Sequence, residues 1–298
     1  MKVEEIFKDK NKLAQKMSKF TEKQAKYPCI VQEKYDGVFV FAVKDNNKCI
    51  FLSRTGEPYL SMNHLSSYML NILDSAEKDI VLFEAYIERT PQAMISVFCR
   101  DKTNQHSELR AVVHDILSFE EYMGDKKTPY INRLDLLRHV VSLNPKSDKW
   151  GNDYIYLPKQ ITAHNITDIR DFAQQIFNKG GEGVVVKNPK MGYQRGKRNT
   201  NMMKLKQKIS FDLKVVDVER GHGQFQNAVG ALICQYSKGR TISVGSGLRP
   251  QDRYRFWTNR ELIIGKIVEV EAMRLTESGL LREPIYKGIR YDKETPDF

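Results

Sequence analysis

One lysine in the stretch VQEKYDGVFV, residues 31–40, stands where its amine could act as a nucleophile. Lys34 lies at the start of an apolar strand-like run, with Asp36 two positions on and Gly37 behind it. The ordinary interpretation is a solvated lysine at a strand edge beside a turn glycine. The alternative is a lysine that attacks an electrophile after losing its proton. The Lys-x-Asp-Gly pattern alone favours neither interpretation, because it is short enough to occur by chance.

Further charged residues have apolar or glycine-rich neighbours. Glu84 lies within VLFEAYIE, His114 and Asp115 lie within VVHDIL, and Glu182 stands between the glycines of GGEGVVVK. Taken singly, these are more often an edge-strand carboxylate, a satisfied core histidine and a turn residue. The chain also carries three cations on strands or at strand ends: Arg54, Lys204 and Lys206. Together the set offers carboxylates for Mg²⁺ and cations for phosphate oxygens, which a site for a metal-bound nucleotide requires.

The charge of the chain indicates a polyanionic partner. Its formal net charge is +11 and its pI is about 9.3. The segment from Lys187 to Lys208 contains eight basic residues and no acidic one. Alternation within MMKLK predicts that Lys204 and Lys206 lie on one face of a strand, where an anion between them would relieve their repulsion. Nucleic acid is the expected partner.

The elements that must position these residues form two groups. Residues 1–25 are predicted to form a Lys-rich helical leader. After it, strand-like runs such as GVFVFAV alternate with amphipathic segments such as YINRLDLLRHVVSL, which indicates an α+β domain over residues 1–206. Short strands separated by Gly-rich turns follow, with one possible helix at PQDRYRFW. This pattern of short strands and turns is typical of a small Greek-key barrel such as an OB-fold, which is expected over residues 207–298.

The cysteines and the apolar runs bear on the compartment. Cys29, Cys49, Cys99 and Cys234 are scattered singly, without a CxxC pair, which argues against a disulfide framework or a four-cysteine zinc site. The opening residues lack the apolar block of a signal peptide, and no later run is long enough for a membrane span. A cytoplasmic protein without a membrane partner is therefore expected.

The order of the motifs resembles the covalent nucleotidyltransferases, and most closely the small ATP-dependent DNA ligases of phages, viruses and bacteria. The motifs that carry this resemblance are KYDG (34–37), SRTGE (53–57), FEAYIE (83–88), VVHDIL (112–117), GGEGVVVKNP (180–189), MMKLK (202–206) and GIRYDK (288–293). The resemblance implies a nucleotidyltransferase domain, ATP-grasp-like with antiparallel sheets and helices, followed by an all-β OB-fold domain. It also implies sealing of nicks in duplex DNA by a monomer that uses ATP and Mg²⁺ or Mn²⁺.

Roles follow from the resemblance position by position. Lys34 would attack the α-phosphate of ATP to form a lysyl-AMP, and Asp36, Glu84 and Glu182 would bind the metal. His114 and Val185 would hold the adenine. The remaining nucleotide contacts would come from Gln32, Glu33, Tyr35, Arg54, Glu84, Lys204, Lys206, Arg290 and Lys293. The nucleic acid would be bound by Arg54, Lys187, Arg195, Lys197 and Arg198.

Three positions depart from the pattern of these ligases. Phe39 stands where an arginine is common, so that either Arg54 and the basic run compensate or the substrate differs from an ordinary DNA nick. Gln32 stands where a glutamate is common, and His114 replaces the more frequent phenylalanine. The departures therefore concern the base contacts and the nick contacts.

Other functions remain open from the sequence. An RNA ligase shares the first domain, and an mRNA-capping guanylyltransferase shares Lys-x-Asp-Gly, the OB domain and the last motif. A catalytically inactive nucleic-acid-binding module is the non-enzyme alternative, although intact Lys34, Glu84 and Glu182 argue against it. An NAD-dependent ligase is disfavoured, because only 33 residues precede Lys34.

Overall fold

The structure is a computed structural model that describes residues 3–10, 12–144, 146–148, 150–151, 153–276 and 278–298. Its contacts divide the chain into two compact units, Met1–Leu205 and Lys206–Phe298. No helix in the described part of the chain is long and apolar enough to cross a membrane.

The helices and strands of the first unit have the following bounds: α1 Val3–Ile6, β1 Lys16–Lys19, β2 Cys29–Lys34, β3 Val38–Asp45, β4 Lys48–Ser53, α2 Ser66–Ala76, β5 Ile80–Tyr86, α3 Gln92–Arg100, β6 Arg110–Leu117, α4 Phe119–Met123, α5 Tyr130–Leu143, β7 Ile155–Tyr156, β8 Gln160–Ala163, α6 Ile166–Asn178, β9 Gly183–Lys187 and β10 Arg198–Lys206, whose last residue begins the second unit. In the second unit they are β11 Ile209–Arg220, β12 Val229–Gln235, β13 Thr241–Val244, α7 Pro250–Thr258, β14 Ile267–Ala272, β15 Arg274–Leu275, β16 Leu281–Arg282 and β17 Ile285–Ile289.

Two five-stranded sheets form the first unit. Sheet I has the order β1-β10-β9-β2-β8, and sheet II has the order β4-β3-β5-β6-β7. One face of sheet II packs on α2, α3 and α5 through an apolar cluster that includes Val40, Phe83 and Val113. One face of sheet I packs on α6 through Val31 and Val186. Because strand side chains alternate between faces, the residues between these apolar positions project from the opposite face of each sheet.

The predicted helical leader is wrong. Only Val3–Ile6 is α-helical, and Lys16–Lys19 forms β1, which pairs in parallel with β10 at the edge of sheet I. The local lysine-rich composition suits a helix, but strand pairing with a partner about 180 residues away decides the conformation. Burial of Leu13 and Ala14 in a second cluster anchors the same segment.

The second unit is a β-barrel with one helix. Its sheet has the order β13-β12-β11-β14-β17, and a parallel bridge between Ser246 and Ile285 joins the two edges. A side chain at Gly247 would stand 2.2 Å from the carbonyl oxygen of Tyr286, and its φ is +90°, so that this closure requires glycine. The helix predicted at PQDRYRFW is confirmed as α7, and its Phe256 is buried in the barrel core.

Candidate active site

The motif KYDG forms the connection between the two sheets of the first unit. Lys34 ends β2 in sheet I, and β3 of sheet II begins at Val38. A β-carbon at Gly37 would lie 2.2 Å from the carbonyl oxygen of Ala85 and 2.8 Å from Cγ of Glu84. Only glycine lets the turn approach β5 so closely. The glycine therefore holds Lys34 beside the strand that carries Glu84.

Lys34 is paired with Glu182. Lys34 lies opposite Gly183 in the β2–β9 register, which places the preceding residue, Glu182, beside it. Nζ of Lys34 donates to Oε2 of Glu182 at 2.5 Å. The two side chains are only 15% and 9% exposed, so the pair is largely shielded from water. The structure thus brings together a candidate nucleophile and an acceptor for its proton.

A row of side chains crosses sheet II next to this pair. Phe39 lies opposite Glu84 in the β3–β5 register, and Glu84 lies opposite Val112 in the β5–β6 register. On the side of β3 that faces β4, Val40 pairs with Ser53. Continued by one residue, this antiparallel register places Arg54 opposite Phe39. Cζ of Arg54 lies 5.2 Å from the centroid of the Phe39 ring, in a cation–π contact.

Glu84 is a carboxylate whose pKa is raised by its surroundings. The pKa of Glu84 is raised to about 7, mainly by burial, and the carboxylates of Glu182 and Asp36 contribute to the rise. The cations of Lys34 and Arg54 oppose this shift. Near neutral pH Glu84 is therefore divided between its acid and its carboxylate, and a ligand that brings positive charge or hydrogen-bond donors would shift it to the carboxylate.

Glu84→Gln is expected to stabilise the protein above pH 7. The pKa of Glu84 is higher in the folded chain than its ordinary value of 4.5, so its ionisation in the fold costs stability as pH rises between about 4.5 and 7. Glutamine removes this cost, which amounts to about 3 kcal/mol at most. Urea unfolding of both proteins between pH 4.5 and 8 measures the difference in their free energies of unfolding. This difference should disappear at pH 4.5.

Glu88→Gln supplies the control for this prediction, because the Glu88 side chain is 78% exposed and its replacement should change the free energy of unfolding little. A difference between Glu84→Gln and the parent chain that does not change with pH would contradict the perturbed titration of Glu84.

His114 and its surroundings form a mainly apolar pocket next to the row. The phenol oxygen of Tyr130 donates to the His114 carbonyl at 3.1 Å, and Nζ of Lys187 donates to the same carbonyl at 3.3 Å. Burial and the charge of Lys187 hold the pKa of His114 well below its usual range, so its ring is neutral. Val185 lies opposite Gln32 on sheet I. A neutral ring and an aliphatic side chain are suited to contact both faces of a planar base.

These groups line one cleft between the two sheets. Its volume is about 590 Å³ including the solvent at its mouth. Predicted site residues account for nine of the lining side chains: Gln32, Glu33, Lys34, Tyr35, Arg54, Glu84, His114, Val185 and Lys187. Oε2 of Glu33 is buried and accepts no hydrogen bond within the described residues. Such an orphaned acceptor fits a ligand with hydroxyl or amine donors, as a nucleoside has.

Lys204 and Lys206 lie on β10 beyond Met202, which lines the cleft. Alternation along the strand places Met202, Lys204 and Lys206 on one face of β10, as the pattern MMKLK predicts. Lys206 begins the second unit, where its Nζ lies 3.9 Å from Sδ of Met273.

Arg290 and Lys293 lie in the second unit, where both contact the carboxylate of Asp212. Nη1 of Arg290 lies 3.0 Å from Oδ1 of Asp212, and Nζ of Lys293 lies 2.8 Å from Oδ2. Asp292 binds the other edge of the Arg290 guanidinium. The nucleotide contacts predicted for Arg290 and Lys293 stay predictions.

The predicted metal ligands do not form a closed metal site. Among the described residues there is no group of three or more His, Cys, Asp or Glu side chains that could hold a metal ion. Asp36 and Glu182 are close enough to Glu84 to raise its pKa, but Glu182 is bound to Lys34. Mg²⁺ is often held by one or two carboxylates together with substrate phosphates, and these residues fit that arrangement.

Two of the predicted nucleic-acid contacts require correction. Lys187 is 7% exposed, and its ammonium lies inside the first unit, where burial lowers its pKa to about 8. Arg195 donates to the carbonyls of Lys12 and Ile6 and stacks on Tyr122, so that it anchors the N-terminal segment. Lys187 is turned inward because it lies on β9, which is buried along its whole length. Long-range packing on the N-terminal segment explains the position of Arg195. Lys197 and Arg198 are exposed, as a surface contact requires.

Some cleft residues were missed from the sequence. Gln15 and Met17 line the cleft from the segment predicted as a helix, and Tyr130 adjoins it from the start of α5. Alternation in KMSK could have indicated β1. For Tyr130 no sequence signal exists, because its position depends on how α5 packs on β6.

Comparisons with known proteins agree with this geometry. The family model for the ATP dependent DNA ligase domain matches residues 11–206, and that for the DNA ligase OB-like domain matches residues 220–290. The DNA ligase of Haemophilus influenzae is 34% identical over 133 residues, which cover 45% of this chain and 47% of that protein. The DNA ligase of Enterobacteria phage T4 is 23% identical over 84% of this chain and 60% of its own length. The matches thus span about half to three fifths of these relatives.

Solved structures show the same fold. A structure from a study of Lig E DNA ligases covers 93% of this chain and 98% of its own, with a TM-score of 0.70 at 17% identity. The comparisons confirm the predicted fold class, a nucleotidyltransferase domain of mixed sheets and helices followed by an OB-fold domain. Because the first family model covers about two thirds of the residues, the chain belongs to the ATP-dependent DNA ligase family.

Proposed function

We propose that this chain is an ATP-dependent polynucleotide ligase that seals nicks between a 3′-hydroxyl and a 5′-phosphate in duplex DNA through a lysyl-AMP on Lys34. The observation that carries the proposal is the pair of Lys34 with Glu182 at 2.5 Å, inside a cleft that Glu84 and His114 also line, in a chain of this family. ATP is the expected nucleotide, in line with the name of the matched family.

The first step begins with a proton transfer. An ammonium ion has no free electron pair, so Lys34 must lose a proton before it can attack. Oε2 of Glu182 is the acceptor within hydrogen-bond reach. The amine then bonds to the α-phosphorus of ATP, the bond to the β-phosphate oxygen breaks, and pyrophosphate leaves. Low exposure of the pair keeps water from competing for the phosphoryl group.

The two later steps transfer the same AMP. The 5′-phosphate of the nick attacks the phosphorus of lysyl-AMP, and Lys34 leaves as the amine. The 3′-hydroxyl then attacks the activated 5′-phosphate, and AMP departs. Lys34 forms no bond in the last step, so the protein's work there is positioning and charge stabilisation.

The cleft offers partners for each part of the nucleotide. His114 and Val185 would hold the adenine, with Gln32 and Glu33 at its edge and Tyr35 at the mouth of the pocket. Glu84 would accept from a ribose hydroxyl, and Arg54 would bind the ribose or the 5′-phosphate of the nick. Lys204 and Lys206 would hold the phosphate of AMP. Arg290 and Lys293 would orient the outgoing pyrophosphate, as the resemblance implies.

A divalent cation belongs to the proposal as well. Glu84, Glu182 and Asp36 would hold Mg²⁺ or Mn²⁺ together with the nucleotide phosphates, once Lys34 has released Glu182. The ion would neutralise the negative charge that develops on the phosphate oxygens.

The nucleic-acid contacts would be electrostatic and independent of sequence. Exposed Arg54, Lys197 and Arg198 can bind backbone phosphates. One chain supplies every residue of the cleft, which supports a monomer. All four cysteines are free and buried, in keeping with the proposed cytoplasmic site of action.

A nick-sealing assay tests the proposal. A duplex DNA with one nick should be sealed in the presence of ATP and Mg²⁺, and the same nick without its 5′-phosphate should not be sealed. An all-RNA duplex and a 5′-diphosphate RNA end with GTP test the ligation and capping alternatives. Activity on either RNA substrate without activity on nicked DNA would contradict the proposal.

A further inference from the structure

Phe39 separates two charged side chains that face the cleft. In the row across sheet II, Arg54 lies on one side of Phe39 and Glu84 on the other. Neighbouring strands are about 4.8 Å apart, so the backbones of Arg54 and Glu84 are separated by about 10 Å. An arginine side chain extended across that gap can reach a glutamate. Their geometry alone therefore permits an ion pair between them.

That ion pair is absent. Neither Arg54 nor Glu84 forms a salt bridge or a side-chain hydrogen bond with another of the described residues. Instead, Cζ of Arg54 lies 5.2 Å from the centroid of the Phe39 ring. The oxygens of Glu84 are not among the buried atoms without a partner, so they remain accessible from the cleft. Both charges are thus available to a ligand.

The ring of Phe39 is itself held from two sides. It packs edge-on against Phe41, with centroids 4.8 Å apart, and lies 6.0 Å from the ring of His114 at a tilt of 41°. Phe41 is fully buried. These contacts fix the ring between the two strands, so that Phe39 acts as a rigid spacer with a face on which Arg54 rests.

We propose that Phe39 is a positioning residue that keeps the guanidinium of Arg54 from pairing with the carboxylate of Glu84, so that both reach the bound nucleotide and the nick. The proposal rests on the proposed function for its substrate. The arrangement of Arg54, Phe39 and Glu84 across sheet II is a property of the protein without substrate. A smaller side chain at position 39 would let Arg54 collapse onto Glu84, and both partners would be lost to the ligand.

The charge around Glu84 makes this collapse measurable. The charged and titratable groups that act on Glu84 or respond to it are Lys34, Asp36, Arg54, Tyr59, Cys99 and Glu182. An opposite charge brought within about 4–6 Å lowers the pKa of a carboxyl by about one unit or more. The pKa of Glu84, about 7 in the parent chain, should therefore fall when the spacer is removed.

The test compares Phe39→Leu with Phe39→Tyr and Phe51→Leu. Carbon-13 NMR of the Glu84 carboxyl should show a midpoint lower by about one unit in Phe39→Leu and unchanged in Phe39→Tyr, which keeps the ring. The KM for ATP in lysyl-AMP formation should rise about 10-fold in Phe39→Leu, with kcat nearly unchanged. Phe51→Leu removes a similar volume from the apolar cluster on the other face of sheet II and should lower the melting temperature without either effect.

A Glu84 midpoint in Phe39→Leu equal to that of the parent chain would overturn the proposal, and so would the same shift in Phe51→Leu. The NMR titration needs no catalysis. A parent chain that forms no lysyl-AMP would refute the proposed function, whereas an unmoved Glu84 midpoint would refute the spacer alone.

Discussion

Lys34→Ala is expected to lower the rate of sealing an ordinary nick with ATP by more than about 10³-fold, because the variant has no amine to accept AMP. The same variant should still seal a nick whose 5′-phosphate already carries AMP. In that last step the 3′-hydroxyl attacks the activated phosphate, and the lysine forms no bond. Gel assays of both substrates, with equal enzyme, measure the two rates.

The fold must survive for this comparison to be informative. The melting temperature of Lys34→Ala should fall, because Glu182 loses its partner in a largely shielded pair, but the variant should stay folded at the assay temperature. Lys78→Ala is a matched control, since Lys78 pairs with Glu121 at 2.9 Å and is 13% exposed, like Lys34, but contributes nothing to the cleft. It should seal both substrates at the parent rate. Sealing of the ordinary nick by Lys34→Ala would contradict the assignment of the nucleophile.

Glu182→Gln is expected to slow lysyl-AMP formation about 10²-fold. Glutamine keeps the shape of the side chain but cannot take the proton that Lys34 must lose. The rate, followed by intact mass in a single turnover, should stay low when Mg²⁺ is raised tenfold. A rate restored by Mg²⁺ would mean that Glu182 acts in this step through metal binding alone, and would contradict its role as proton acceptor.

Asp74→Asn is the control for this second substitution. Asp74 pairs with Lys44 at 2.5 Å, the same distance as between Lys34 and Glu182. However, 51% of the Asp74 side chain and 37% of the Lys44 side chain is exposed. Screening by water makes such a pair contribute little. Asp74→Asn should therefore form lysyl-AMP at the parent rate, and a loss similar to that of Glu182→Gln would point to a general effect of charge.

Local patterns were sufficient for the strands that carry the cleft. Unbroken apolar runs indicate the buried strand β9, and the run VLFEAYIE places Glu84 on a strand among apolar residues. The motif order then identified Lys34 and Glu182 as residues of one site. The β2–β9 register explains why they meet, because Lys34 lies opposite the residue that follows Glu182.

Features that depend on distant partners could not be predicted. The N-terminal residues have helical composition, yet Lys16–Lys19 pairs with β10. Lys187 belongs to a basic run in the sequence, but its place on a strand buried along its whole length turns it inward. The separation of Arg54 from Glu84 depends on which strands neighbour β3. Composition and spacing carry no information on such pairings.

The most direct test of the account is the intact mass of the purified protein after treatment with pyrophosphate and then with ATP or GTP in the presence of Mg²⁺. ATP is expected to add the mass of one AMP to the protein, and peptide mapping should place this AMP on Lys34. No added mass with either nucleotide, or GMP from GTP in place of AMP from ATP, would contradict the account.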